Sequence, residues 1–169
     1  IEAADTPEDV LALTQEWMAF QAGKTASLSL DTYERLQQSE EINILSADFL
    51  NLGMEVEKLN HSENLWIHLD IMDGHFVPNL TIGPPVVAAI RKVTKLPLDV
   101  HLMIQKPEKY LEAFAKAGAN YLTVHIEAVK EPKNIIDEIH SLGMEAGITL
   151  KPDTDVKEIM GLLPLVDLV

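Results

Sequence analysis

The sequence predicts a parallel α/β fold: a partial (β/α) barrel of five units plus a sixth strand, preceded by a short helical segment. Three observations predict it. Strand-length apolar runs alternate with helical stretches from Ile42 onward, and repeated βα units require a parallel sheet with right-handed crossovers. Pro84, Pro107 and Pro132 open helical stretches, while Gly118 and Gly143 stand where helices should end. Proline is accommodated in a first turn and glycine beyond a last one. Finally, one face of each strand turns polar toward its C-terminal end. A doubly wound sheet, covered by helices on both sides, favours apolar residues on both. Polarity on one face fits a barrel interior whose upper layer is an active site.

The elements follow in order. Residues 1–41 read as helical. Thr6 can cap a helix with Pro7 at its first position, and Val10, Leu11, Leu13, Trp17, Met18 and Phe20 follow at helical spacing. Gly23 to Ser29 reads as a loop, and Leu30 to Gln38 as a second short helix. A short helix cannot bury Trp17, Met18 and Phe20 by itself. This segment is therefore expected to pack on the body. Residues 42–169 are expected to form the partial barrel. Its strands are expected at Asn43–Ala47, Trp66–Met72, Leu98–Ile104, Tyr121–Glu127, Ala146–Lys151 and Leu165–Val169. Its helices are expected to begin near Gly53, Pro84, Pro107, Pro132 and Thr154, with apolar stripes such as Ile135, Ile136, Ile139 and Leu142. Gly161 inside the last helix costs about 1 kcal/mol relative to alanine unless it ends that helix.

The strand faces carry the chemistry. Side chains alternate along a strand. Leu65, Ile67, Leu69 and Ile71 thus share a wholly apolar face, and Trp66, His68, Asp70 and Met72 share the other. The pattern returns in Leu98–Ile104, where His101 and Met103 oppose Val100, Leu102 and Ile104. His-x-Asp on one strand and His on the next, turned toward one interior, suggest a divalent-metal site. His125 lines the same interior and reads as a core residue or a support for the ligands. His75 reads as a strand-end loop residue, and His61 and His140 as surface residues. Lys151 either attracts an anion at a strand end or simply leaves the strand, with Thr154 capping the next helix.

Composition narrows the classes. The chain of 169 residues is 47% hydrophobic and can form one domain with a real core. It has no cysteine, which excludes disulfides, thiolate catalysis and zinc–cysteine sites. A net charge of -14 disfavours nucleic acid and anionic membrane surfaces as partners. No apolar run reaches the roughly 18 residues that span a bilayer, and no leader pattern is evident at the N-terminus. A cytoplasmic location is expected.

The motifs also carry a resemblance. His68-Leu69-Asp70-Ile71-Met72-Asp73-Gly74-His75-Phe76-Val77-Pro78-Asn79, with Asp99-Val100-His101-Leu102-Met103, resembles the ribulose-phosphate 3-epimerase family. Ile44-Leu45-Ser46-Ala47-Asp48-Phe49 looks like its first strand, and Ala117–Asn120 and Val124–Glu127 continue the match in order. The resemblance runs from about Ile44 to Val169 and does not include the leading helical segment. It implies part of a (β/α)8, or TIM, barrel that interconverts ribulose 5-phosphate and xylulose 5-phosphate through an enediolate. It implies a divalent metal (zinc, iron or manganese) held by His68, Asp70 and His101. Asp70 would also be one of two acid/base carboxylates. Ser46, Met72 and Met103 would contact substrate.

The family's eight strands exceed the six read here. Its strand-seven aspartate and phosphate-binding loops have no counterpart in the text. The expectation is therefore an engineered or chimeric chain derived from an epimerase barrel, without catalytic activity alone. Its open sheet would be completed by self-association or a complementing chain. The alternative is a metal-dependent isomerase acting on pentose 5-phosphates.

Overall fold

The computed structural model describes residues 40–62 and 65–169. The helices expected in residues 1–39, and the docking of Trp17, Met18 and Phe20, lie outside the described residues. The strands are β1 (Glu40–Asn43), β2 (Leu65–Met72), β3 (Leu98–Met103), β4 (Tyr121–His125) and β5 (Glu145–Thr149). All pair in parallel, in strict chain order. The helices between them are α1 (Leu52–Leu59), α2 (Pro84–Arg91), α3 (Leu111–Ala117) and α4 (Pro132–Ser141), with α5 (Lys157–Met160) after β5.

Sequential order decides the architecture. A doubly wound sheet reverses direction and sends helices to both faces. Here each crossover advances to the next strand, so the sheet is singly wound, as in part of a TIM barrel. The core confirms the one-sided cover. Ile67, Leu69, Val100, Leu102, Leu122, Val124 and Ile148 are fully buried, packed with Val87, Ile90, Leu111, Phe114 and Ile139 from the helices. The opposite strand face carries Trp66, His68, Asp70 and Met72, then Asp99, His101 and Met103.

Several boundaries differ from expectation, each for a local reason. The first strand ends at Asn43, and Ile44–Ser46 forms a 3₁₀ turn instead of continuing it. The Asn43 side chain accepts from the Leu45 N–H and so starts that turn. The fourth strand stops at His125 because Ile126–Ala128 turns in the same way. The helix expected near Pro107 opens as a 3₁₀ turn, and α3 proper begins at Leu111. The last helix begins at Lys157, because the Thr154 hydroxyl donates to Glu127 rather than capping it. The sixth strand is reduced to one parallel bridge, Gly147 with Leu168. Pro164 lies in a 3₁₀ turn, Leu163–Leu165, that takes up the start of the expected run. Asp167 secures the bridge: its carboxylate accepts from Ala146 N–H at 2.8 Å and pairs with His140 at 2.7 Å. Among the described residues, no helix is long and apolar enough to cross a membrane.

Two glycines show how tightly the helix layer is built. Gly118 ends α3 at φ 94, a left-handed conformation. A Cβ there would stand 2.6 Å from Arg91 Cγ and Cδ. Arg91 cannot yield freely, since its guanidinium donates to Asn120 Oδ1 and to the Thr94 and Leu96 carbonyls. Gly161 ends α5 in a right-handed conformation, with nothing within 4 Å of its Cβ position. Gly118→Ala is thus expected to destabilise the chain by roughly 2 kcal/mol or more. Gly161→Ala should be neutral or stabilising by about 0.4–1 kcal/mol. Denaturant midpoints of the two variants check this; equal shifts would contradict it.

Candidate metal centre

Register builds the site. His68 lies opposite Asp99, and Asp70 opposite His101, on β2 and β3. A His-x-Asp strand thereby meets an Asp-x-His strand, and each imidazole has a carboxylate beside it. His68 Nε2 is 3.1 Å from Asp70 Oδ1, and His101 Nδ1 is 3.0 Å from the same oxygen. Asn43 Nδ2 on β1 donates to the other Asp70 oxygen at 2.6 Å. Below, His68 Nδ1 is 2.7 Å from Asp99 Oδ2 and 2.8 Å from Glu41 Oε1. Beyond, His101 Nε2 is 2.9 Å from His125 Nε2.

The expected metal ligands are therefore together. One donor atom each from His68, Asp70 and His101 falls within a 4.8 Å cluster. Zinc bonds of about 2.0–2.1 Å in tetrahedral array separate ligand atoms by roughly 3.3 Å. The spacings of 3.0 and 3.1 Å are close to that. Two imidazoles and a carboxylate also suit iron or manganese, so the donor set fits a divalent ion without fixing which one.

The other expected residues divide. Met72 and Met103 are register partners at the ends of β2 and β3, half-buried on the polar face. Ser46 is exposed on the 3₁₀ turn after β1, outside the hydrogen-bonded cluster. His125 is buried against His101, their rings stacked with centroids 4.9 Å apart. His75 and His61 are exposed, and His140 pairs with Asp167 far along the chain. Lys151 leaves β5 and reaches Phe76: its ammonium lies 3.9 Å from the ring centroid, and that ring lies 4.8 Å from His125. Asp73 accepts from the N–H groups of His75, Phe76 and Gln105, tying the loop after β2 to the loop after β3.

The sequence reading missed Asp99, Glu41 and Asn43 as members of this cluster. Asp99 was legible in principle. It is two residues before His101 on the same face, and the His-x-Asp of β2 has its mirror image in Asp99-Val100-His101. Glu41 was hidden by a strand placed three residues too late at its start, and Asn43, the first residue of that expected strand, was not read as a polar partner.

Electrostatics bind the cluster. Burial opposes charge on His68, but hydrogen bonds with Asp70, Asp99 and Glu41 outweigh it and push the imidazole up to about 12. Burial likewise opposes charge on Asp70, yet hydrogen bonds from His101, His68 and Asn43 hold its carboxyl well below the usual range. Burial, then the neighbouring His101, push His125 down to about 4.

These shifts set opposite limbs of stability. The His68 contribution is complete below its ordinary 6.5 and is lost as pH rises toward about 12. His125 stays neutral when folded, so the unfolded chain takes up the extra proton as pH falls from 6.5 to about 4, and stability falls with it. The metal-free chain should therefore be most stable near pH 6.5. Urea midpoints across pH check this: His68→Gln should flatten the alkaline limb and His125→Gln should weaken the acid one. Unchanged slopes in both variants would refute the assignment.

Fold and site together define a singly wound (β/α)-barrel protein with a candidate divalent-cation centre on its concave face. The model of the ribulose-phosphate 3 epimerase family matches residues 41–169, and the chain belongs to that family. It is 51% identical over 127 residues to the ribulose-phosphate 3-epimerase of Bacillus subtilis, covering 75% of this chain and 58% of that protein. It is 50% identical over 129 residues to the enzyme of that name from Synechocystis, covering 75% and 56%. It is 45% identical over 146 residues to the chloroplastic ribulose-5-phosphate-3-epimerase of Arabidopsis thaliana, covering 85% and 52%. That last match takes in more of the chain than residues 41–169 supply, so it reaches into the segment ahead of Glu41. The chain spans little more than half the length of these relatives.

Proposed function

We propose that the chain carries the metal-holding part of an epimerase active site for ribulose 5-phosphate and xylulose 5-phosphate. One observation supports this above the rest: His68, Asp70 and His101 converge on a single cluster of donor atoms in a chain of the epimerase family. A divalent ion, when bound there, polarises the oxygens beside the reacting carbon and stabilises enediolate charge.

The residues have separate tasks on this reading. Asp70 is ionised at neutral pH, because His101, His68 and Asn43 hold its carboxyl down. It takes the proton from carbon 3 on one face. Inversion needs a second acid/base group on the opposite face, and none of the described cluster is assigned that task. Met72 and Met103 give the planar intermediate an apolar wall. Ser46, on the turn after β1, is the polar contact for substrate. Asp73, Phe76 and Lys151 hold the loops at the mouth, which favours fixed positioning of the reacting carbon.

The remaining acid/base and phosphate-holding groups come, on this reading, from the part of the relatives' length that the chain does not span. A complementing chain that carries that part is the partner proposed; self-association would pair the open sheet edge without supplying these groups. The engineered or chimeric origin expected from the sequence adds nothing to this chemistry and is not needed for it.

The test combines binding with turnover. Zinc, manganese and iron are titrated into the chain, and ribulose 5-phosphate conversion is followed with the remaining barrel of a relative supplied separately. One ion per chain is expected, with turnover that falls about 10²–10⁴-fold in Asp70→Asn. Failure to bind any of these ions would overturn the reading.

A further inference from the structure

Asp99 stands out among the polar side chains of the concave face. It is 3% exposed, deeper than any other charged residue of the cluster. Its Oδ2 lies 2.7 Å from His68 Nδ1. Its Oδ1 is buried and has no hydrogen-bond partner among the described residues. A buried carboxylate costs several kcal/mol in lost hydration. Here that cost is offset through one contact, and the contact is with a metal-ligand candidate.

The direction of the contact matters. A neutral imidazole carries its proton on one nitrogen and a lone pair on the other. At Nδ1 the neighbours are carboxylate oxygens, Asp99 Oδ2 and Glu41 Oε1. Both can only accept, so Nδ1 keeps its proton in the charged, metal-free ring and would keep it when a cation takes the place of the proton on Nε2. In that charged ring Nε2 donates to Asp70 Oδ1, 3.1 Å away; it is the nitrogen that would give up its proton to a cation held between His68, Asp70 and His101. Glu41 is the weaker support, since its side chain is 53% exposed against 4% for Asp99. A solvated carboxylate on an edge strand is free to leave. A buried one on a central strand is not.

We propose that Asp99 is a positioning residue, whose carboxylate fixes the tautomer and ring plane of His68 so that Nε2 is presented to a divalent cation. Asp99 touches neither substrate nor ion; it acts through His68. The inference rests on the metal reading given above. A carboxylate behind a ligating histidine also raises that histidine's basicity, and losing it typically weakens metal affinity about 10–100-fold.

The experiment measures zinc affinity of the 169-residue chain by competition with a chromophoric chelator. Asp99→Ala is expected to bind about 10–100-fold more weakly. Asp99→Asn keeps an acceptor but loses the charge, and should fall between Ala and the unsubstituted chain. Glu41→Gln should stay within about threefold. The visible spectrum of the cobalt form should change in Asp99→Ala and not in Glu41→Gln. Both Asp99 variants binding within twofold of the unsubstituted chain would overturn the inference while leaving the metal reading intact. No ion bound by the unsubstituted chain would overturn the metal reading first, and this inference with it. Nitrogen NMR of the zinc-loaded unsubstituted chain serves if the variants fail to fold. A proton on His68 Nδ1 with the ion at Nε2 is expected; the reverse arrangement refutes the proposal.

Discussion

Between β2 and β3 the parallel register sets Ile67 beside Leu98, Leu69 beside Val100 and Ile71 beside Leu102. These side chains are almost wholly buried under the helices. The alternate positions on the same two strands are His68 with Asp99, Asp70 with His101, and Met72 with Met103. A slip of one residue would turn every side chain of a strand to the other face. It would drive Asp99 and His101 into the apolar layer and bring Val100 and Leu102 out. The apolar face therefore enforces the geometry of the polar one. The packing that holds the sheet thereby also brings the candidate ligands to one face and into register.

Within that frame the polar groups compensate one another. Carboxylates of Asp70 and Asp99 lie on either side of the His68 ring, and His101 stands between Asp70 and His125. No member could be buried alone without a large desolvation cost. The chain closes at its rim through Phe76, which packs against His125 on one side and under the Lys151 ammonium on the other. Glu127 ties the same region together by accepting from the Lys151 N–H and the Thr154 hydroxyl. The loops after β2, β4 and β5 thus hold one another at the mouth of the site.

Much of this was legible in the residues. The alternation through Leu65–Met72 gave both faces of β2, and Gly118 and Gly143 do mark helix ends, at φ 94 and 82. The convergence of His68, Asp70 and His101 followed from strand parity and parallel pairing. What escaped were features that depend on how far a strand runs. Asn43 ends β1 because its own side chain caps the next turn, a short-range competition that periodicity does not register. Asp99 was overlooked for a different reason. A carboxylate near a strand's start reads as solvated, and only the register of the neighbouring strand reveals that His68 covers it.

The strict chain order of the sheet has a kinetic consequence. His68 and Asp70 each meet their β3 partner across a separation of 31 residues, the span of one strand–helix–strand unit. No long loop has to close before the ligand cluster can exist. Contacts of this range cost little chain entropy and form early relative to non-local pairings. A cation that prefers the assembled cluster would then stabilise a partly folded chain as soon as β2 and β3 have zipped.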